Sequence, residues 1–169
     1  MYEYRPKLDL PRTRIQKVAN IVGYGVFIIG IIYSIIYLPS LPAEVPIHFN
    51  IGGEVDGWGS KYTLLLLPFI GIVSFLALEA VEKRPHIHNY PSSLDENNVY
   101  QHYALSIRTA NLVKNGTLVI FGLLQFEIVQ SARDANVTLG NVLLGLLLLL
   151  VVLPLIWHII SIYKLRQSK

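Results

Sequence analysis

The chain has 169 residues, 53% of them hydrophobic and 15% charged, with a formal net charge of +3 and no cysteine. A soluble domain is nearer a quarter charged, so the composition argues against a soluble enzyme and for lipid as the solvent. Disulfides and thiolate metal sites are excluded outright.

Residues 1–17 form a basic tail that contains Pro6 and Pro11 and has no clear period, which reads as a loose or interfacial arm. Tyr2 and Tyr4 suit the headgroup layer. The first apolar run, about 18–38, is long and is not followed by a small-x-small pattern, so it reads as an uncleaved signal anchor. Its Gly30 and Ser34 form a small-xxx-small pair that lets another helix approach closely. Next comes a loop, 39–61, where Pro39, Pro42 and Pro46 force extended backbone. Ile47, Phe49 and Ile51 then alternate with His48 and Asn50, predicting a short strand with its apolar side down and His48 and Asn50 facing out. Gly52-Gly53 permits a tight turn, and the returning arm carries Asp56, Trp58, Gly59, Ser60 and Lys61 to the second run. Trp58 suits the headgroups, and Ser60 is placed to cap the next helix. In a simple two-residue-turn register Asp56 opposes Phe49, and His48 and Asp56 point to opposite faces; a bulge reverses that.

The second run, about 62–81, contains Pro68, expected to bend it, and ends near Glu79, expected either to snorkel to the surface or to pair with Lys83. Residues 82–110 read as a loop followed by a helical overhang. Ser93 and Glu96 form a capping box, and Val99, Tyr103, Ile107 and Ala110 recur at helical spacing. One helix is therefore expected from Leu94 into the third run, about 111–129, with roughly 20 Å protruding. Asn97, Asn98, Tyr100, Gln101 and Tyr103 offer a docking face on it. The third run is the most polar, and its Asn115, Gln125, Glu127 and Gln130 are expected to face the interior. The fourth run, about 141–162, carries Pro154 and an interfacial Trp157-His158 pair. The sequon Asn136-Val-Thr138 reads as a chance match.

Lys and Arg divide twelve to two between the tail, the second loop and the C-terminus on one side, and the first and third loops on the other. Positive charge stays inside, so the chain is expected in the plasma membrane with both termini cytoplasmic. That distribution accounts for the basicity without nucleic acid. The expected fold is an all-α four-helix membrane bundle, 18–169, closed outside by a structured loop, a short β-hairpin.

Three functions compete for the outer loop with a plain structural cap. One imidazole with Glu44, Glu54, Asp56 and Glu127 nearby is a thin metal site, and no nucleophile accompanies a catalytic base. Neither a cofactor nor catalysis is therefore expected. A recognition surface at His48, Asn50, Asp56, Trp58, Lys61 and Glu127 is the preferred functional reading. The acidic rim, Glu44, Glu54, Asp56 and Asp134 against Lys61 and Arg133, favours cationic ligands. A small transporter using Asn115, Gln125 and Glu127, and a membrane metalloprotein or enzyme, are the alternatives; His86, His88 and His102 supply a weaker zinc candidate.

The stretch Leu41-Pro42, Val45-Pro46-x-His48-x-Asn50, Gly53-x-x-Asp56-x-x-Gly59-Ser60-Lys61 resembles a small prokaryotic membrane domain of unknown function. That domain is found at the N-terminus of immunity proteins against the sporulation-delaying toxin. Asn89-Tyr90-Pro91, Glu96-Asn97 and Gln101-x-Tyr103 resemble its second conserved-looking stretch, so the likeness covers residues 17 to about 130. The resemblance implies an integral membrane protein that protects against a secreted membrane-active peptide outside and holds a soluble regulator inside. Expected alongside it are membrane lipids, a cationic character of the peptide that follows from the acidic rim, and a homo-oligomer as an open option. It brings no catalytic residues.

Overall fold

The computed structural model describes residues 4–50, 52, 54–90, 94–133 and 140–167. Helix α1 spans Arg14–Tyr37. It starts a turn before the expected span because Thr13 and Gln16 form a reciprocal capping box, with Thr13 N donating to Gln16 Oε1 at 2.9 Å. A 3₁₀ turn, Leu38–Ser40, leads to strand β1, Glu44–Phe49, which pairs antiparallel with β2, Val55–Ser60. Helix α2 is Leu66–Glu82, entered through a 3₁₀ segment, Lys61–Leu65. Pro68 thus falls in the first turn of α2, just past the change from 3₁₀ to α geometry, where a missing N–H is least costly.

Helix α3, Val99–Arg133, runs 35 residues, about 52 Å at 1.5 Å per residue. It begins at Val99 and not at Leu94. Asp95 accepts from the backbone N–H of Asn97 and Asn98 at 2.9 and 3.0 Å, and Asn98 Oδ1 accepts from Asp95 N at 3.0 Å. These bonds make a local turn that displaces the expected Ser93–Glu96 box; Ser93 lies outside the described residues, and Glu96 is exposed.

The fourth run is split into α4, Gly140–Leu147, and α5, Leu153–Gln167, by a π turn over Leu148–Val152. Pro154 cannot donate to the carbonyl of Leu150, and the widened turn relieves the ring clash. That carbonyl rests on Gly116 of α3, where any Cβ would lie 2.5 Å from it. The proline, the π turn and the facing glycine form one packing unit.

Four helical stretches among the described residues are long and apolar enough to cross a membrane: Arg14–Ser40, Lys61–Glu82, Val99–Arg133 and Gly145–Gln167. They are arranged around α3, which has extensive interfaces with α1, α2 and the fourth stretch. The α1–α3 interface is the largest, because Gly30 and Gly122 meet backbone to backbone; a Cβ on Gly30 would sit 2.6 Å from Gly122 O. Ser34, four residues on, is buried beside it. The faces away from α3 are apolar and exposed, as at Ile21, Ile29 and Ile36 on α1 and Phe69 and Leu76 on α2. A water-soluble protein does not present such continuous apolar faces; hydrocarbon accommodates them at no cost.

The tail is not a loose arm over residues 4–13. Arg5 Nη1 donates to the carbonyls of His86 and His88 at 3.1 and 2.7 Å, and Leu10 packs on Leu94, Val99 and Tyr103. It is a strap across the end of the helices where the tail begins, called here the strap end. The overhang of α3 is covered by it and by residues 83–90 and 94–98, so Tyr103 and Asn98 are buried rather than offered for docking, while Tyr100 and Gln101 stay exposed.

Candidate functional site

At the opposite end the hairpin sits on the helices. Leu41 and Val45 pack with Leu64, Ile128 and Val129, which fixes β1 against α2 and α3. Pairing runs Glu44 with Ser60 and Pro46 with Trp58, then slips, so that His48 faces Gly57 and Phe49 faces Val55. The irregularity brings together two side chains that the simple register holds on opposite faces: His48 Nδ1 contacts Asp56 Oδ1, both side chains being exposed. Asn50 builds the turn. Its Oδ1 accepts from Gly52 N and Glu54 N at 2.9 and 3.0 Å, its Nδ2 donates to Glu54 Oε2 at 3.0 Å, and its N–H donates to Glu54 O at 2.8 Å. Ile51 and Gly53 lie outside the described residues.

Lys61 is engaged with the backbone. Its Nζ donates to Leu41 O at 3.1 Å and Pro39 O at 3.4 Å, closing the chain beyond α1. Ser60 caps the following 3₁₀ turn through Tyr62 N, as expected, and Gly59 leaves room for the side chain of Ile47. Trp58 is exposed opposite Pro46, which is buried. The alternation expected for β1 holds for Phe49, half-buried on the helices, but fails at Ile47, which is 47% exposed because the slip turns it outward. Asn89, Glu96 and Asn97 are exposed, and Pro91 lies outside the described residues. Their neighbours Tyr90, Asp95 and Asn98 make the contacts instead; Tyr90 donates to Pro85 O at 2.9 Å, and burial pushes its hydroxyl up to about 12.

Between the hairpin and the helices lies a cleft of about 340 Å³. His48 and Asn50 form its rim, Phe49, Leu67 and Leu124 its walls, and Glu127, 1% exposed on α3, reaches it from the interior. Gln125 is fully buried, and Gln130 accepts from Tyr33 at 3.0 Å, so the polar residues of α3 do face inward. Of the expected recognition set, His48, Asn50 and Glu127 share this cleft, Asp56 joins through His48, and Trp58 and Lys61 stand apart. The rim residue Asp134 and the sequon at Asn136 lie outside the described residues.

A second polar centre escaped the sequence reading. Lys114, assigned to the basic loop side, is fully buried. Its Nζ donates to Glu79 Oε2 at 2.5 Å and Glu82 Oε2 at 2.6 Å. Arg12, from the strap, reaches Glu79 Oε1 and Glu82 Oε1, each at 2.9 Å. Lys83 pairs with Glu79 at 3.1 Å, as expected. Asn111 donates to Glu82 and to Asn20 of α1, and Asn115 donates to Asn20. All four carboxylate oxygens accept from fixed donors, which ties α1, α2, α3 and the strap into one network. Burial disfavours charge on Arg12, but its bonds to Glu79 and Glu82 outweigh that and hold its pKa above the ordinary value. The signal was present: Glu79 and Glu82 at i,i+3 on one helix face, and Asn111, Lys114 and Asn115 at i,i+3,i+4 on another.

The histidines are structural partners here. His88 bridges Val81 O at 2.8 Å and Ser106 Oγ at 2.5 Å, and His158 meets Thr109 Oγ1 at 3.0 Å. No group of three His, Cys, Asp or Glu side chains placed to hold a metal occurs among the described residues.

Residues 25–72, the end of α1 through the hairpin and into α2, match a family described as a domain of unknown function, DUF1648. An uncharacterized protein of Archaeoglobus fulgidus is 33% identical over 69 residues, which cover 36% of this chain and 38% of that protein. No solved structure matches the chain.

Proposed function

We propose that this is a multi-pass plasma-membrane protein, with both termini in the cytoplasm and the hairpin outside, that captures a cationic membrane-active peptide. The reading follows the immunity proteins whose motifs the hairpin resembles. Its orientation is supported by the uneven division of basic residues, which stays eleven to two when the buried Lys114 is left out. The observation that carries the binding reading is the cleft under the hairpin, where apolar walls at Phe49, Leu67 and Leu124 accompany the carboxylate of Glu127. A cationic amphipathic peptide lying in the outer leaflet offers both chemistries at that depth. Glu44, Glu54 and Asp56 on the hairpin add attraction for it. Inside, the strap on α3 and the exposed Tyr100 and Gln101 offer a surface by which occupancy reaches a soluble regulator.

The test is the sensitivity of cells to a panel of cationic membrane-active peptides. Production of the protein is expected to raise tolerance to at least one, and Glu127→Gln to lose that gain while still accumulating in the membrane. Unchanged sensitivity to every peptide in the panel, on deletion and on overproduction, contradicts the proposal.

A transporter remains the second reading because Lys114, Asn115, Gln125 and Glu127 are all buried along α3. Against it, the backbone contact of Gly30 with Gly122 lies between the two polar groups. Solute flux in proteoliposomes that depends on Glu127 would favour transport over capture.

A further inference from the structure

Arg108 is, among the described residues, a cation with no anion beside it. Among the described residues its guanidinium makes no ion pair or hydrogen bond, and its Nε is buried with no partner. Its one close interaction is with the indole of Trp157 on α5, 5.1 Å from guanidinium carbon to ring centre. Two other basic groups at this end are matched by anions: the buried Lys114 by Glu79 and Glu82, and the partly exposed Arg12 by the same two carboxylates. A guanidinium partly withdrawn from water and stacked on an indole still has donors that need an acceptor. The described residues supply none.

Arg108 also stands at one end of a groove of about 240 Å³ between α3 and the fourth stretch. The walls are Leu112 on one side and Leu149, Leu153, Pro154 and Trp157 on the other. The π turn and Pro154 widen the fourth stretch just where Leu149 lines the groove. The groove opens on the faces that meet hydrocarbon: Leu149 is 55% and Leu153 49% exposed. A positive fork at the strap end and an apolar channel leading from it toward mid-helix match one class of molecule, an acyl chain carrying a phosphate.

We propose that Arg108, Trp157 and this groove form a binding site for one anionic phospholipid of the leaflet at the strap end. The phosphate accepts from the guanidinium, and one acyl chain lies between Leu112 and Leu153. Arg suits a phosphate because two parallel N–H donors meet two oxygens. The site rests on the helices lying in lipid and is independent of the cleft under the hairpin.

The full chain is purified in mild detergent, stripped of lipid, and titrated with phosphatidylglycerol, with phosphatidylcholine of the same chains, and with inorganic phosphate alone. Bound lipid is counted by native mass spectrometry, and thermal unfolding is followed in parallel. One phosphatidylglycerol per chain is expected to be retained and to stabilise the protein, with phosphatidylcholine binding about tenfold more weakly, because its own quaternary ammonium offsets the phosphate charge that the guanidinium meets. Arg108→Gln is expected to lose that preference, while Arg166→Gln, at the exposed end of α5, keeps it. Leu112→Trp fills the groove, leaves the charge, and is expected to lose the lipid as well. Equal retention of both lipids, saturation by phosphate alone, or full phosphatidylglycerol binding by both Arg108→Gln and Leu112→Trp overturns the proposal.

Discussion

Replacing Lys114 with Met removes the cation at the centre of the strap-end network while keeping the length of the side chain. Lys114 is fully buried, and its ammonium lies 2.5 and 2.6 Å from two carboxylates. At an effective dielectric of about 20, each contact attracts by roughly 6 kcal/mol, against a desolvation cost of several kcal/mol for every ion withdrawn. The network as a whole is thus close to break-even, but removing one member is not. Glu82, with its side chain 2% exposed, keeps only Arg12 and Asn111. Breaking a buried pair in this way costs about 3 kcal/mol or more, which for a chain of this length is a fall in Tm of about 6–12 °C. Arg12→Gln is the comparison. The Arg12 side chain is 34% exposed, so solvent screens it and its loss is expected to cost about 1 kcal/mol. Glu82→Gln combined with Lys114→Met discharges the orphaned carboxylate and is expected to recover part of the loss. The assay is thermal unfolding in detergent followed by circular dichroism. Lys114→Met no less stable than Arg12→Gln, with no recovery in the double variant, refutes the view that this network holds the helices together.

Gly30→Ala drives a methyl group into Gly122 O and is expected to cost about 1–3 kcal/mol, whereas Gly25→Ala meets open space and is neutral or stabilising; unfolding midpoints of the pair decide it. Asn50→Ala removes the acceptor for Gly52 N and Glu54 N, so hydrogen exchange at β1 and β2 is expected to quicken by about tenfold, a loss near 1.4 kcal/mol, with the helices unaffected. Tyr90, whose hydroxyl is raised by burial to about 12 from 10.0, favours the folded state fully below pH 10 and loses that contribution as pH rises toward 12. Tyr90→Phe is therefore expected to flatten the alkaline fall in stability over that window, and to cost about 1 kcal/mol at neutral pH through the bond to Pro85 O.

The four apolar stretches and the hairpin were readable because run length and alternation report solvent directly: hydrocarbon needs about 20 residues, and a half-buried strand needs a period of two. The partner of Gly30 was not readable, since a close backbone approach is set by a second glycine nearly a hundred positions away, at Gly122. Register depended on a slip between Pro46 and Phe49, which no local pattern announces, and so the meeting of His48 with Asp56 stayed open until the strands were seen. Lys114 was misassigned because counting basic residues by loop ignores burial. A lysine one turn inside a span can be matched by carboxylates on the neighbouring helix, and here Glu79 and Glu82 do that. The tail looked structureless because its order comes from nonlocal anchors, Arg5 on the carbonyls of His86 and His88 and Arg12 on Glu79 and Glu82. The backbone bonds of Lys61 and Asn50 were hidden as well, because their acceptors and donors are set only once the hairpin closes.

The chain contains no cysteine, so single thiols can be placed without background. Glu54→Cys puts one at the tip of the hairpin and Lys7→Cys puts one on the strap, at opposite ends of the helices. With an impermeant maleimide on intact cells, the hairpin thiol is expected to label fully and the strap thiol only after the membrane is broken. Labelling of Lys7→Cys in intact cells, with Glu54→Cys protected, inverts the orientation and removes the outer cleft from contact with any external peptide.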